Sequence, residues 1–186
     1  SGNGVGVAGL APDANILPVK VMSDGGYGSV SAIANGIVWA TDQGADVINM
    51  SLGTTGASET LRQACEYAYN RGVVLIAATG NEYANYLNYP AKFDTVVAVG
   101  ASRVDGRRSA YSNTGSGVEI LAPGGDLSRD QNSDGYADGV LQETYTQGQW
   151  TYTFWEGTSM AAPHVAAAAA LIIEAGVSDP EDVRAI

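Results

Sequence analysis

The chain has 186 residues, with nine basic and twenty acidic side chains and a net charge of −11. That length suits one domain with a proper hydrophobic core. The acid surplus argues against a nucleic-acid or anionic-membrane partner, and a single cysteine and a single histidine exclude a disulfide framework, a thiolate zinc site and most histidine metal clusters.

In chain order, the opening Ser1-Gly2-Asn3-Gly4 lacks an initiator methionine and the basic and apolar regions of a signal peptide, so the sequence reads as a processed or truncated piece. No stretch approaches the roughly 20 apolar residues of a membrane span. Asn15–Val21 reads as a short apolar strand. Ser29 caps a helix with Val30, Ile33, Ala34, Ile37, Ala40 and Thr41 on one face, ending at Gly44. Asp46–Met50 is strand-like. Ser58 caps a second helix that presents Leu61, Ala64, Cys65 and Ala68 and stops at Gly72. Val73–Ala78 is an uninterrupted apolar run, as in a strand covered on both faces. Val96–Gly100 and Val118–Ala122 are further strands, Leu127–Trp155 reads as a long polar excursion, and Gly157–Gly176 is an alanine-rich helix. Alternating strands and helices imply βαβ units and a parallel sheet. In such sheets sites form beyond the carboxyl ends of strands, where Ser51-Leu52-Gly53, Thr79-Gly80-Asn81 and Gly157-Thr158-Ser159 fall.

Gly157-Thr158-Ser159-Met160-Ala161-Ala162-Pro163-His164 opens the last helix. A serine there lies at the positive end of the helix dipole, where an oxygen gaining negative charge is stabilised. Gly157 lets a substrate backbone approach closely. The bland reading is a serine N-cap on an alanine-rich helix.

The eight-residue string resembles the nucleophile motif of subtilisin-like serine proteases, with Ser159 as nucleophile. The likeness continues in order along the chain. Gly4–Pro12 followed by Ile16–Val21 is similar to the segment after that family's catalytic histidine. Val47–Gly53 resembles one wall of its first specificity pocket, and Ala77–Asn81 resembles the strand end bearing its oxyanion asparagine. The resemblance implies an α/β, three-layer αβα fold built on a parallel sheet, with residues 1–186 forming a single partial peptidase domain. It also implies an endopeptidase that forms an acyl-enzyme on Ser159, with the Asn81 amide and the Ser159 N–H as oxyanion donors. Gly26-Tyr27-Gly28, Ser51-Leu52-Gly53 and Ala78-Thr79-Gly80 would bind the extended polypeptide substrate by strand addition.

The general base is missing. His164 is five residues beyond Ser159, roughly 140° around the helix and about 7.5 Å along it, so it cannot take the serine proton. The family's Asp-Thr/Ser-Gly strand and His-Gly-Thr-His helix precede the segment matching Gly4–Pro12. This polypeptide alone is therefore expected to be inactive, and a companion N-terminal segment of the same domain is expected as its partner. The aspartate strand would lie between Ile16–Val21 and Val47–Met50. The alternative function is a peptide-binding module that never possessed the base.

Asp130-x-Asn132-x-Asp134-Gly135-Tyr136-x-Asp138 matches the first nine positions of a calcium loop, but Leu141 stands at the twelfth in place of glutamate. A second calcium candidate rests on the resemblance alone: Asn3 with the Val5 and Val7 carbonyls. Gly4-x-Gly6-x-x-Gly9 fits the dinucleotide fingerprint only formally, since no strand precedes it. Cys65 reads as a small buried hydrophobe. Tyr83, Tyr86 and Tyr89 read equally as cleft flanks or loop packing. Family habit, the acidic charge and the calcium candidates point to an extracellular setting.

Overall fold

The computed structural model describes residues 6–186. Four strands form a parallel sheet: β1 (Val47–Met50), β2 (Val74–Ala78), β3 (Val96–Ser102) and β4 (Ile120–Pro123), in the spatial order β1-β2-β3-β4. Register runs through Met50↔Ala77, Ala78↔Val99 and Ser102↔Pro123, which aligns the carboxyl ends of β1 and β2.

Alternation along the strands divides the core in two. Leu75, Ala77, Val96 and Ala98 face α1 (Val30–Asp42) and α2 (Glu59–Tyr69), whose Ala34, Ile37, Leu61, Ala64, Cys65 and Ala68 complete one cluster. Val74, Ile76, Ala78, Val99, Ala101 and Ala122 face α3 (Thr158–Glu174) on the other side, against Ala161, Ala162 and Ala169. This is a helix–sheet–helix sandwich, and it explains why β2 has no polar position: every residue is buried. The short α4 (Pro180–Arg184) follows, and its Val183 joins the second cluster.

The helix starts obey local chemistry. Ser29 accepts a bond from Ala32 N and Ser58 one from Leu61 N, each the expected cap. The first two helices stop slightly short of their glycines. Asp42 and Tyr69 end them, and Gly44 and Gly72 follow at φ +81° and +83° as the left-handed residues that turn the chain away.

Three expectations need correction. Ile16–Val21 is not a strand: it has no ladder partner among the described residues, and Ile16 is 84% exposed. Its end lies against α1 instead, where a side chain on Gly36 would collide with Val21. The strand expected as Val118–Ala122 begins two residues later, at Ile120. The 127–155 excursion contains a hairpin, β5 (Val140–Thr146) and β6 (Gln149–Trp155), turned by Gln147 and Gly148 at φ 51° and 81°. Positive φ at both central residues matches the twist of the flanking strands.

Candidate active site

Ser159 is the second residue of α3. The N-cap, Gly157, has no side chain, so the helix is capped from outside: Asn81 Oδ1 accepts bonds from Thr158 N and from Thr158 Oγ1, both at 2.9 Å. Thr158 Oγ1 in turn accepts from Gly80 N at 3.3 Å. Thr158 is fully buried. The first two bonds hold the Asn81 side chain by its oxygen and leave its Nδ2 without a hydrogen-bond partner among the described residues.

The position a Cβ on Gly157 would occupy is 3.6 Å from Asn81 Nδ2 and 3.6 Å from Ser159 N. A side-chain N–H donor and a backbone N–H donor at a helix start therefore flank the bare Cα of Gly157. An oxygen gaining negative charge requires such a place. Gly157 adopts φ +150°, ψ 157°, a conformation essentially reserved for glycine, so the same residue makes both the turn and the space.

Pro163 supplies a second device. It sits at the sixth residue of α3 and has no N–H, so the helix bond that would end on the Ser159 carbonyl is absent. Ser51 Oγ fills the gap, donating to Ser159 O at 2.8 Å, and accepts in turn from Asn49 Nδ2 at 3.0 Å. The Ser159 hydroxyl points back to Ser51 O at 3.4 Å, a long bond that leaves it ready to be drawn elsewhere. The end of β1 and the start of α3 are thereby pinned across 108 residues of sequence.

His164 is half-buried on α3, and its Nδ1 bonds the Met160 carbonyl at 2.8 Å. It anchors to its own helix and not to Ser159, so the chain's one histidine serves packing.

Among the other expected site residues, Ser51-Leu52-Gly53 and Ala78-Thr79-Gly80 leave the ends of adjacent strands side by side. The Asn88–Pro90 segment crosses beneath them: Thr54 and Tyr89 exchange backbone bonds at 2.9 and 2.8 Å, and Asn88 N donates to Thr79 O at 3.0 Å. Gly26-Tyr27-Gly28 belong to a turn tied to itself, with Ser23 N donating to Tyr27 O at 2.8 Å and Tyr27 82% exposed. No hydrogen bond among the described residues joins that turn to Ser159. Cys65 is fully buried on α2, and burial pushes its thiol up to about 12, which makes it an unreactive core residue.

Two residues that position the site gave no signal in the sequence. Asn113, fully buried, accepts from Glu82 N and Ala84 N at 3.0 and 3.1 Å and donates to Thr79 O at 3.2 Å, shaping the loop that carries Asn81. Tyr111 Oη donates toward Gly124 O and Gly125 O and accepts from Gly157 N at 3.0 Å; burial raises its pKa. Both are isolated polar residues in a loop, and only the fold shows what they hold.

The 130–138 loop offers oxygen donors, the chemistry calcium requires. Its carboxylates, however, accept backbone N–H bonds within the loop. Asp130 takes Asp134 N and Gly135 N, Asp134 takes Tyr136 N, and Asp138 takes Gln131 N. Asn132 Nδ2 donates to Asp134. No group of three acidic, histidine or cysteine side chains converges on one point among the described residues. Of the second calcium candidate, Asn3 and Val5 lie outside the described residues, and Val7 is exposed. A cavity of about 730 Å³ lies away from Ser159, between Leu87, Phe93, Gly117 and Arg184. Arg184 is engaged there with both Glu119 oxygens and the Asp94 carbonyl. No helix among the described residues is long and apolar enough to cross a membrane.

Comparison with known proteins matches residues 1–186 to a family model described as the subtilase family. Subtilisin DY of Bacillus licheniformis is 43% identical over 175 residues, covering 92% of this chain and 58% of its own length. Thermitase of Thermoactinomyces vulgaris is 41% identical over 176 residues, covering 95% and 57%. Among solved structures, a protease from Pseudoalteromonas arctica PAMC 21717 superposes with a TM-score of 0.88 at 40% identity, over 98% of this chain and 57% of that one. The chain thus spans less than two thirds of the length of each of these relatives.

Proposed function

Since the chain belongs to the subtilase family and has its α/β fold, we propose that it is the part of a serine endopeptidase that carries the nucleophile and the oxyanion site. The observation that carries this reading is the pair of N–H donors, Asn81 Nδ2 and Ser159 N, each 3.6 Å from the position a Cβ on Gly157 would take. In the reaction Ser159 Oγ bonds to the scissile carbonyl carbon, and the carbonyl oxygen takes up negative charge between those two N–H donors. The C–N bond then breaks, leaving an acyl group on Ser159 that water removes. The proton leaving Ser159 and reaching the amine must pass through a base that His164 does not provide.

That base, with the aspartate that orients it, is assigned to a preceding segment of the same domain. The free edge of β1 supports this, since no described strand pairs with it. The substrate is a polypeptide laid along Ser51–Gly53 and Ala78–Gly80, with the Gly26–Gly28 turn joining once the domain is whole. Structural calcium at the 130–138 loop and an extracellular setting belong to the same reading. They are supported by the oxygen-rich loop, the acidic charge and the family.

The test is a fluorophosphonate probe applied to the full-length parent polypeptide and to its Ser159→Ala variant. Stoichiometric labelling of Ser159 that is lost in the variant is expected. A folded parent that binds peptides but does not label is a peptide-binding module, and the hydrolase reading then fails.

A further inference from the structure

The hairpin turns its apolar face outward. By the register Leu141↔Phe154, Glu143↔Tyr152 and Tyr145↔Trp150, these residues share one face of the ladder, while Gln142, Thr144, Thr151 and Thr153 share the other. An antiparallel sheet resting on a protein body normally packs its apolar face inward and shows its polar face to water. Here Gln142, Thr144 and Thr153 are half-buried, whereas Leu141, Tyr145, Trp150 and Tyr152 are 40–69% exposed. Tyr145 and Trp150 contact each other near the turn, with centroids 5.3 Å apart, and Tyr136 extends the face past Phe154 at 5.9 Å. Folding does not explain such a face, because burying it would stabilise the hairpin more. Contiguous exposed apolar surface of this kind marks an interaction site.

The face also has a sign. Glu143 lies within it, opposite Tyr152 and two residues from both Leu141 and Tyr145, and no ion pair or hydrogen bond engages its carboxylate among the described residues. From Asp130 to Pro163 the sequence has no lysine, arginine or histidine, while Asp130, Asp134, Asp138, Glu143 and Glu156 are acidic. A carboxylate bordered by exposed tyrosine and tryptophan rings is complementary to an ammonium or guanidinium group. The ring faces attract the cation, and the carboxylate pairs with it. A purely apolar partner would strip water from Glu143 and offer it no counter-ion. Gly6 approaches only the Tyr152 hydroxyl, which a Cβ on it would meet at 3.0 Å, and Tyr152 stays 45% exposed.

Resting on the protease reading above, we propose that this face is an exosite that holds a lysine- or arginine-bearing segment of the polypeptide substrate, remote from the bond being cleaved. β6 ends four residues before Ser159, and Trp150 lies about 17 Å back along that strand. The face therefore adds binding without touching the reacting atoms, by raising the effective concentration of a substrate already held at a second point.

The test uses the full-length parent polypeptide and peptides that share one cleaved segment. One has no tail. The others carry a short run of lysines or of glutamates, on a Gly/Ser linker of about 12 residues with an r.m.s. reach of about 20 Å, placed in turn on each side of the cleaved segment. A lysine tail on one side should lower KM about fivefold to tenfold with kcat unchanged, and a glutamate tail should not. Glu143→Gln and Trp150→Ser should each remove most of that gain and leave hydrolysis of the untailed peptide as it was. A gain that survives both substitutions comes from the net charge of −11 and overturns the assignment. Shielding of Trp150 from acrylamide in the parent, read against Trp150→Phe, shows the face covered by another segment or a second copy and overturns it as well. If Ser159 labels with fluorophosphonate and the lysine tail gains nothing, the exosite alone is wrong. If Ser159 does not label, the protease reading fails and the exosite falls with it.

Discussion

Gly157→Ala isolates the oxyanion geometry, because one methyl group acts on stability and turnover by separate routes. At φ +150°, ψ 157° the alanine backbone is strained, at a cost of about 1–3 kcal/mol. The new Cβ meets nothing closer than Met160 Sδ at 3.5 Å, with Asn81 Nδ2 and Ser159 N at 3.6 Å. These are ordinary contacts, so no overlap adds to the strain. For turnover the same methyl, 3.6 Å from both donors, crowds the neighbouring place, about 2.7–3.1 Å from each, that the charged oxygen must take. Loss of a single such donor costs on the order of 10²–10³ in turnover, a magnitude established on a subtilisin and carried over here. Two donors are obstructed, so kcat should fall at least about 10²-fold. Urea unfolding gives the stability change, and steady-state hydrolysis by the full-length enzyme gives kcat. A variant that loses stability but keeps kcat within about threefold would refute the placement of the oxyanion beside Gly157.

Thr158→Val keeps the shape of the side chain and removes the hydroxyl, leaving Gly80 N without its acceptor. A loss of about 1–3 kcal/mol in urea unfolding is expected, with kcat falling as Asn81 loosens. The Arg103 guanidinium beside Asp105, bonded at 2.6 Å, holds that carboxyl down to about 2. A depressed carboxyl stabilises above its unfolded pKa of roughly 4, and that contribution disappears as pH falls toward 2. Carboxyl NMR should show Asp105 titrating near 2, and Asp105→Asn should flatten the acid limb of stability between those values. Chelation of calcium should lower the thermal midpoint of the full-length protein, and Asp130→Ala with Asp134→Ala should remove most of that response. A midpoint indifferent to chelator would rule out structural calcium at 130–138.

Much of the fold was readable because its signals are local. The α2 face named from spacing (Leu61, Ala64, Cys65, Ala68) is the buried face. Val73–Ala78 advertised double-sided burial by having no polar residue, and Ser29 and Ser58 cap as serines do. The hairpin was missed although L-Q-E-T-Y-T and W-T-Y-T-F-W alternate with period two. Its exposed aromatics Tyr145, Trp150 and Tyr152 and its Gln-Gly turn resemble a polar loop when composition alone is weighed. Ile16–Val21 was misread for the opposite reason. Its apolar run is strand-like, but a strand also needs a ladder partner, and none adjoins it among the described residues.

From the amino-acid order alone came the roles proposed for Ser159 and Asn81, the distance of His164 from Ser159 along its helix, and the parallel sheet that gathers their loops. Each is a property of neighbours within one helix turn or one strand, or of a motif continuous in sequence. The tertiary structure alone showed that Thr158 turns the Asn81 amide, that Ser51 satisfies the carbonyl freed by Pro163, and that Asn88 and Asn113 both donate to Glu82. Hydrogen bonds are directional and short, so a partner 77 or 108 residues away is decided only when packing of the sheet and helices brings the two atoms to about 3 Å.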